Sequence, residues 1–184
     1  MFNSLANKLT LSRILAIPAI LLLLVVPHAW AAWLALFLFI LAGLTDWLDG
    51  HVARRNGEVS KIGQFLDPIA DKLLVAAVIL LLVNNGRISG FSVLPAVIIL
   101  LREVAVSGLR EFLAEVRVSV PVTLLAKWKT AIQLIALGFL IIGNYAPDFI
   151  PAVPVGDLLL WIAGGLTVVT GYDYWRASLK HFRE

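Results

Sequence analysis

A chain of 184 residues that is 60% hydrophobic and only 15% charged, with a mean hydropathy of +0.92, cannot build the polar shell of a water-soluble domain. The same figures exclude intrinsic disorder, which needs low hydrophobicity and high charge, and the length suits one domain over residues 1–184. Without cysteine there is no disulfide, thiolate metal site or cysteine nucleophile, and His28, His51 and His181 are too far apart for a zinc-ligand pattern. An all-α integral membrane protein is expected. Its net charge of +3 is assigned to the positive-inside bias and to anionic headgroups rather than to nucleic acid.

In chain order, Phe2, Leu5 and Leu9 recur at helical spacing opposite Asn3, Asn7 and Thr10. This pattern predicts a short N-terminal amphipathic helix on the membrane interface, and it equally suits the start of the first span. Lys8 and Arg13 precede a long apolar run, but no small-residue cleavage site follows, so no cleavable signal peptide is expected. Six transmembrane helices are predicted from apolar runs over residues 14–26 (extendable to Leu9), 30–48, 65–83, 91–112, 122–142 and 155–174. Pro27-His28-Ala29, then Asn84-Asn85-Gly86-Arg87, then the proline-rich stretch from Gly143 to Pro154 separate alternate pairs. Trp30, Trp33, Trp161 and Trp175 read as interfacial anchors.

Lysine and arginine orient the bundle. Lys8, Arg13, Arg54, Arg55, Lys61, Arg110, Arg117, Lys127, Lys129, Arg176, Lys180 and Arg183 fall on one side, whereas the opposite connections hold only Arg87. Both termini are therefore expected in the cytoplasm.

Against this apolar background stand four aspartates. Asp46 and Asp49 close the second span three residues apart, and Asp67 and Asp71 open the third four residues apart, so each pair shares a helix face. Bare, four such carboxylates would repel and be costly to desolvate. Protonation, as in a proton relay, would relieve this; hard divalent cations would relieve it better. Two plainer readings compete: interfacial aspartates bathed in water, and Asp67 and Asp71 favouring the positive end of a helix that starts there. In the connection, Gly50 and Ala53 allow close approach of a ligand, Arg54 suits a phosphoryl group, Ser60 can bond an anion and Gly63 opens the next helix. Arg55 and Lys61 fit as ordinary positive-inside charges.

The pattern Asp46-x2-Asp49-Gly50-x2-Ala53-Arg54-x8-Gly63-x3-Asp67-x3-Asp71 resembles the full signature of the CDP-alcohol phosphotransferase family, with eight positions in 26 residues and no departure. The resemblance implies a six-helix membrane enzyme, usually a homodimer, with a polar cavity open to the cytoplasm. It implies transfer of a phosphatidyl or similar group from a CDP-linked donor to an alcohol, with release of CMP. By position, Asp46 and Asp67 resemble ligands that bridge two divalent ions, Mg²⁺ or Mn²⁺. Asp49 resembles a ligand of the first ion and Asp71 a ligand of the second and the general base. Gly50, Arg54, Ser60 and the Asn7-Lys8-Leu9-Thr10 stretch match contacts to the CDP-lipid, and Ala53 and Gly63 match small positions beside the nucleotide.

Over nearly the whole chain, Arg102-Glu103, Ser107, Arg110-Glu111, Lys127-Trp128-Lys129-Thr130 and the Asn7…Leu9-Thr10…Arg13 opening resemble bacterial phosphatidylglycerophosphate synthases. That likeness implies CDP-diacylglycerol as donor, sn-glycerol 3-phosphate as acceptor, and an inner-membrane enzyme whose site faces the cytoplasm. Arg110, Lys127 and Lys129 are the expected counter-charges of the acceptor phosphate; for the two lysines the positive-inside rule is an equal explanation. Glu103, next to Arg102 within the fourth span, is expected to pair with another helix or to serve an internal ion pair. Inositol phosphate, serine or phosphatidylglycerol as acceptor would keep the same chemistry. A proton-coupled transporter would not need Gly50, Arg54 and Gly63 at fixed offsets, and a scaffold would tolerate asparagine at the aspartates.

Overall fold

The protein is described by a computed structural model covering the backbone of residues 5–56, 61–116, 118, 121 and 123–179, with side chains for 14–45 and for those of 69–179. Helices account for almost all of it: α1 Leu5–Val25, α2 Ala29–Asn56, α3 Lys61–Asn84, α4 Val93–Glu115, α5 Leu124–Ile142 and α6 Ala152–Leu179. Short 3₁₀ turns at Gly90–Ser92 and Gly143–Tyr145 precede α4 and follow α5. Each helix coincides with a predicted apolar run.

Several boundaries move for local reasons. α1 is already helical at Leu5 and continues unbroken into the first apolar run, with no separate N-terminal helix among the described residues. α2 passes Leu48 and continues to Asn56, because the polar stretch after Asp49 holds no proline. α3 starts at Lys61 rather than Phe65. The proline-rich stretch ends at Pro151: Pro154 sits in the first turn of α6, where its missing N–H has no intrahelical partner to lose. Thr123 caps α5, its Oγ1 accepting from the Ala126 N–H at 3.2 Å.

α1 packs on α2 and α3, α5 bridges α2 and α6, and α6 lies between α5 and α4. Small residues on α6 permit these close approaches, which matter where lipid supplies no hydrophobic drive between helices. A Cβ at Gly156 would lie 2.8 Å from Leu140 Cγ, and one at Gly164 would lie 2.7 Å from Pro95 Cβ. Gly164 with Pro95, Gly171 with Arg102 and Trp161 with Ser92 are all pairs 69 residues apart, so α4 and α6 run parallel in one register. The core is aliphatic, with Ile20, Leu74, Ile79, Leu82, Leu137, Leu140 and Leu160 buried.

Arg87 explains itself in this frame. Its Nη1 donates to the carbonyls of Leu140 and Ile141 at the end of α5, and its guanidinium lies 5.6 Å from the Tyr145 ring centre. Burial draws its pKa below the ordinary arginine value, with Tyr145 opposing, and the group remains cationic. Gly143, at φ 50°, turns the chain beside it in a conformation that favours glycine.

The periphery is as apolar as the core. Leu22, Phe37, Leu80, Leu101, Val104, Ile135 and Leu158 are all exposed, a surface suited to lipid rather than water. Among the described residues, Gly90–Glu115, Leu124–Tyr145 and Ala152–Leu179 are long and apolar enough to cross a membrane, and Ile14–Val25 and Ala29–Thr45 are shorter apolar helices.

Candidate active site

The extension of α2 to Asn56 reorganises the signature. Asp46, Asp49, Gly50, Ala53 and Arg54 fall at i, i+3, i+4, i+7 and i+8 of one continuous helix, hence on one stripe of it, instead of passing from helix into connection. Gly63, Asp67 and Asp71 fall at i, i+4 and i+8 of α3, a second stripe. Because α3 begins at Lys61, neither Asp67 nor Asp71 is in its first turn, and the helix-dipole explanation for them does not hold. Ser60 lies outside the described residues. For Asn7, Thr10, Asp46, Asp49, Gly50, Ala53, Arg54, Gly63 and Asp67 only the helical backbone is described.

Asp71 is half-buried and anchors the site in space. It lines a groove of about 550 Å³ between α2 and α5 that is otherwise almost wholly apolar, with Leu36, Phe39 and Ile40 on one wall and Leu134, Ile135 and Phe139 on the other. Gly43 and Leu44 line the same groove, so α3 at Asp71 and α2 just before Asp46 meet in one place. The groove extends to Ala146, Pro147 and Ile150 after α5. An apolar groove ending at a carboxylate suits an amphiphile with a charged head. The sequence pattern alone did not reveal it, because its walls come from helices far apart in the chain.

The donor chemistry fits a hard cation. Both stripes offer only carboxylate oxygens, the ligands Mg²⁺ and Mn²⁺ prefer, and no thiolate exists in the chain. Among the described side chains no three acidic or histidine groups converge, Asp71 being the one member of the quartet whose side chain is described.

The basic candidates separate. Arg110 is exposed on α4 with its guanidinium 5.3 Å from the Tyr174 ring centre, and Lys127 is exposed in the first turn of α5. Lys129 is buried, and its Nζ donates to Glu103 Oε1 at 2.6 Å. Arg102 Nη1 donates to the same oxygen at 3.2 Å. Glu103 thus pairs with another helix, as expected for a charge inside a span. Buried polar atoms without a partner also occur on these helices: Arg102 Nε, Ser107 Oγ, Gln133 Oε1 and Thr167 Oγ1. Gln133 and Thr167 escaped the sequence reading, although Gln133 follows Lys129 by four residues and so shares its face.

Comparison with known proteins places this arrangement. The family model for CDP-alcohol phosphatidyltransferase matches residues 3–169. The CDP-diacylglycerol–glycerol-3-phosphate 3-phosphatidyltransferase of Rickettsia bellii (strain RML369-C) is 48% identical over 180 residues, covering 98% of each chain. Proteins of the same name from Bacillus subtilis (strain 168) and Cereibacter sphaeroides are 41% and 36% identical, covering 95% and 98% of this chain and 94% and 98% of their own. With its eight-position signature on two helical stripes and full-length likeness to these enzymes, the chain belongs to the CDP-alcohol phosphatidyltransferase family.

Proposed function

We propose that the protein transfers the phosphatidyl group of CDP-diacylglycerol to sn-glycerol 3-phosphate, giving phosphatidylglycerophosphate and CMP. The observation that carries this reading is the full-length identity to enzymes of that name, together with an intact aspartate signature. The groove between α2 and α5 takes an acyl chain of the donor, with the pyrophosphate at its Asp71 end. Asn7, Thr10, Gly50, Ala53, Arg54, Ser60 and Gly63 hold the CDP moiety. Asp46, Asp49, Asp67 and Asp71 hold two divalent ions, Mg²⁺ or Mn²⁺, which supply charge neutralisation at the pyrophosphate when bound.

Asp71 accepts the proton of the acceptor hydroxyl. The hydroxyl oxygen forms the new bond to the phosphatidyl phosphorus, the bond from that phosphorus to the CMP oxygen breaks, and CMP departs with the electron pair. Arg110, with Lys127 or Lys129, holds the acceptor phosphate. Arg110 and Lys127 are exposed, where a soluble anion arrives, and Lys129 is a cation on which Asp71 acts electrostatically. The six helices all span the inner membrane of a homodimer with both termini and the site in the cytoplasm; the lysine and arginine asymmetry and the family likeness support this reading.

The test is purified protein with CDP-diacylglycerol, Mg²⁺ and a panel of alcohols, scored for CMP release. Glycerol 3-phosphate should be the efficient acceptor, and exhaustive chelation should stop the reaction. Equal rates with inositol phosphate, serine or phosphatidylglycerol would reassign the acceptor, and full activity after chelation would refute the metal site.

A further inference from the structure

Lys129 carries a charge in a place that costs it its water. Its side chain is 2% exposed, and the ion pair with Glu103 is its short contact, 2.6 Å between α5 and α4, two helices that pack chiefly on α6 rather than on each other. Glu103 Oε1 is shared with Arg102 Nη1 at 3.2 Å. α3 brings two further charges to the cluster, Asp71 acting electrostatically on Lys129 and Lys72 on Glu103. Among the described residues two carboxylates act on the Lys129 ammonium, Glu103 and Asp71, and it is bonded to the one that forms no part of the aspartate signature.

We propose that Glu103 is a positioning residue that holds the Lys129 ammonium away from Asp71, so that a divalent cation entering the carboxylate site does not compete with Lys129 for that aspartate. This rests on the reading of Asp71 as a metal ligand. A buried ammonium cannot return to water, and its three donors seek the nearest anion. With Glu103 neutralised, the carboxylate that still acts on Lys129 among the described residues is Asp71, and an ion pair there sets a fixed positive charge against an incoming Mg²⁺ or Mn²⁺. Arg102 cannot substitute for Glu103, since it carries the same sign as Lys129.

The experiment measures Mn²⁺ binding to detergent-purified full-length protein by electron paramagnetic resonance, without substrates. Glu103→Gln, which keeps shape and hydrogen-bonding capacity, should weaken Mn²⁺ affinity by about tenfold or more, the ratio governed by one charged contact of this class. Glu103→Asp should retain most of the affinity. Lys129→Gln should bind Mn²⁺ at least as well as the unaltered protein, and Glu103→Gln with Lys129→Gln should recover to within about threefold of Lys129→Gln alone.

Unchanged affinity in Glu103→Gln overturns the proposal, as does a loss that persists when Lys129 is also removed, which would mark Glu103 as merely structural. Should Glu103→Gln fail to fold, Lys129→Gln decides alone, because weaker Mn²⁺ binding in that variant overturns the proposal. Unaltered protein that binds no Mn²⁺ refutes the metal reading itself, and the inference with it.

Discussion

At the residue scale the four aspartates divide by what each is asked to hold. Asparagine keeps the shape and loses the charge, so Asp46→Asn, Asp49→Asn, Asp67→Asn and Asp71→Asn should each fall below about one hundredth of normal turnover; loss of a mere outer-shell partner of a metal ligand already costs 10- to 100-fold. Relief of repulsion leaves folding intact or improves it. Asp71→Asn should retain donor binding better than Asp46→Asn if, as proposed, its distinctive role is to take the proton. CMP-release rates together with binding of a CDP-lipid analogue check this, and near-normal turnover in any variant removes that residue from the mechanism. Arg110→Ala should raise the apparent KM for glycerol 3-phosphate by about 10- to 100-fold, the cost of one charge-assisted phosphate contact, with little change for CDP-diacylglycerol. Equal effects on both substrates would point to the lost packing on Tyr174 instead.

At the element scale, α6 governs how closely the bundle closes. A methyl group at Gly164 would meet Pro95 at 2.7 Å from Cβ and 3.2 Å from Cα, atoms of a rigid ring that cannot swing aside. Gly164→Ala should therefore destabilise by about 1–3 kcal/mol, the cost of overpacking a filled interface. Its neighbour is the control: Gly165 has nothing within 4 Å of its added Cβ, so Gly165→Ala should be neutral or slightly stabilising through helix propensity. Thermal unfolding in detergent separates the two, and equal melting temperatures would mean that α4 and α6 yield at this contact. The same close packing accounts for Arg87, whose guanidinium bonds the last carbonyls of α5 and thereby departs from the charge rule without contradicting it.

At the scale of the whole molecule, the proposed topology rests on the basic residues gathered in one set of connections. Reporters at residues 1 and 184 should label from the cytoplasm, and reporters at Arg87 and Asp148 from the opposite face. Cytoplasmic labelling at Asp148 would break the alternation of six spans and overturn the six-span reading. The groove beside Asp71 depends on helix direction, since it is there that α2 at Gly43 and Leu44, α3 at Asp71 and α5 at Ala131 come together.

The sequence by itself determined the membrane class, the six helical segments and the aspartate signature, because apolar run length and i, i+3, i+4 spacing are local properties that lipid and the helix translate directly. It also showed that Glu103 needs a partner, since a lone carboxylate within an apolar run is too costly to leave unpaired. It did not show which partner. Tertiary structure decided that Lys129 is buried against Glu103, and that Leu36, Phe39, Leu134 and Phe139 line a groove shared with Asp71. It decided as well that Gln133 Oε1 and Thr167 Oγ1 are buried with no hydrogen-bond partner among the described residues. Each of these depends on which helices become neighbours. That choice is made by small residues such as Gly156 and Gly164 and by the packing they permit, which no periodicity within a single helix records.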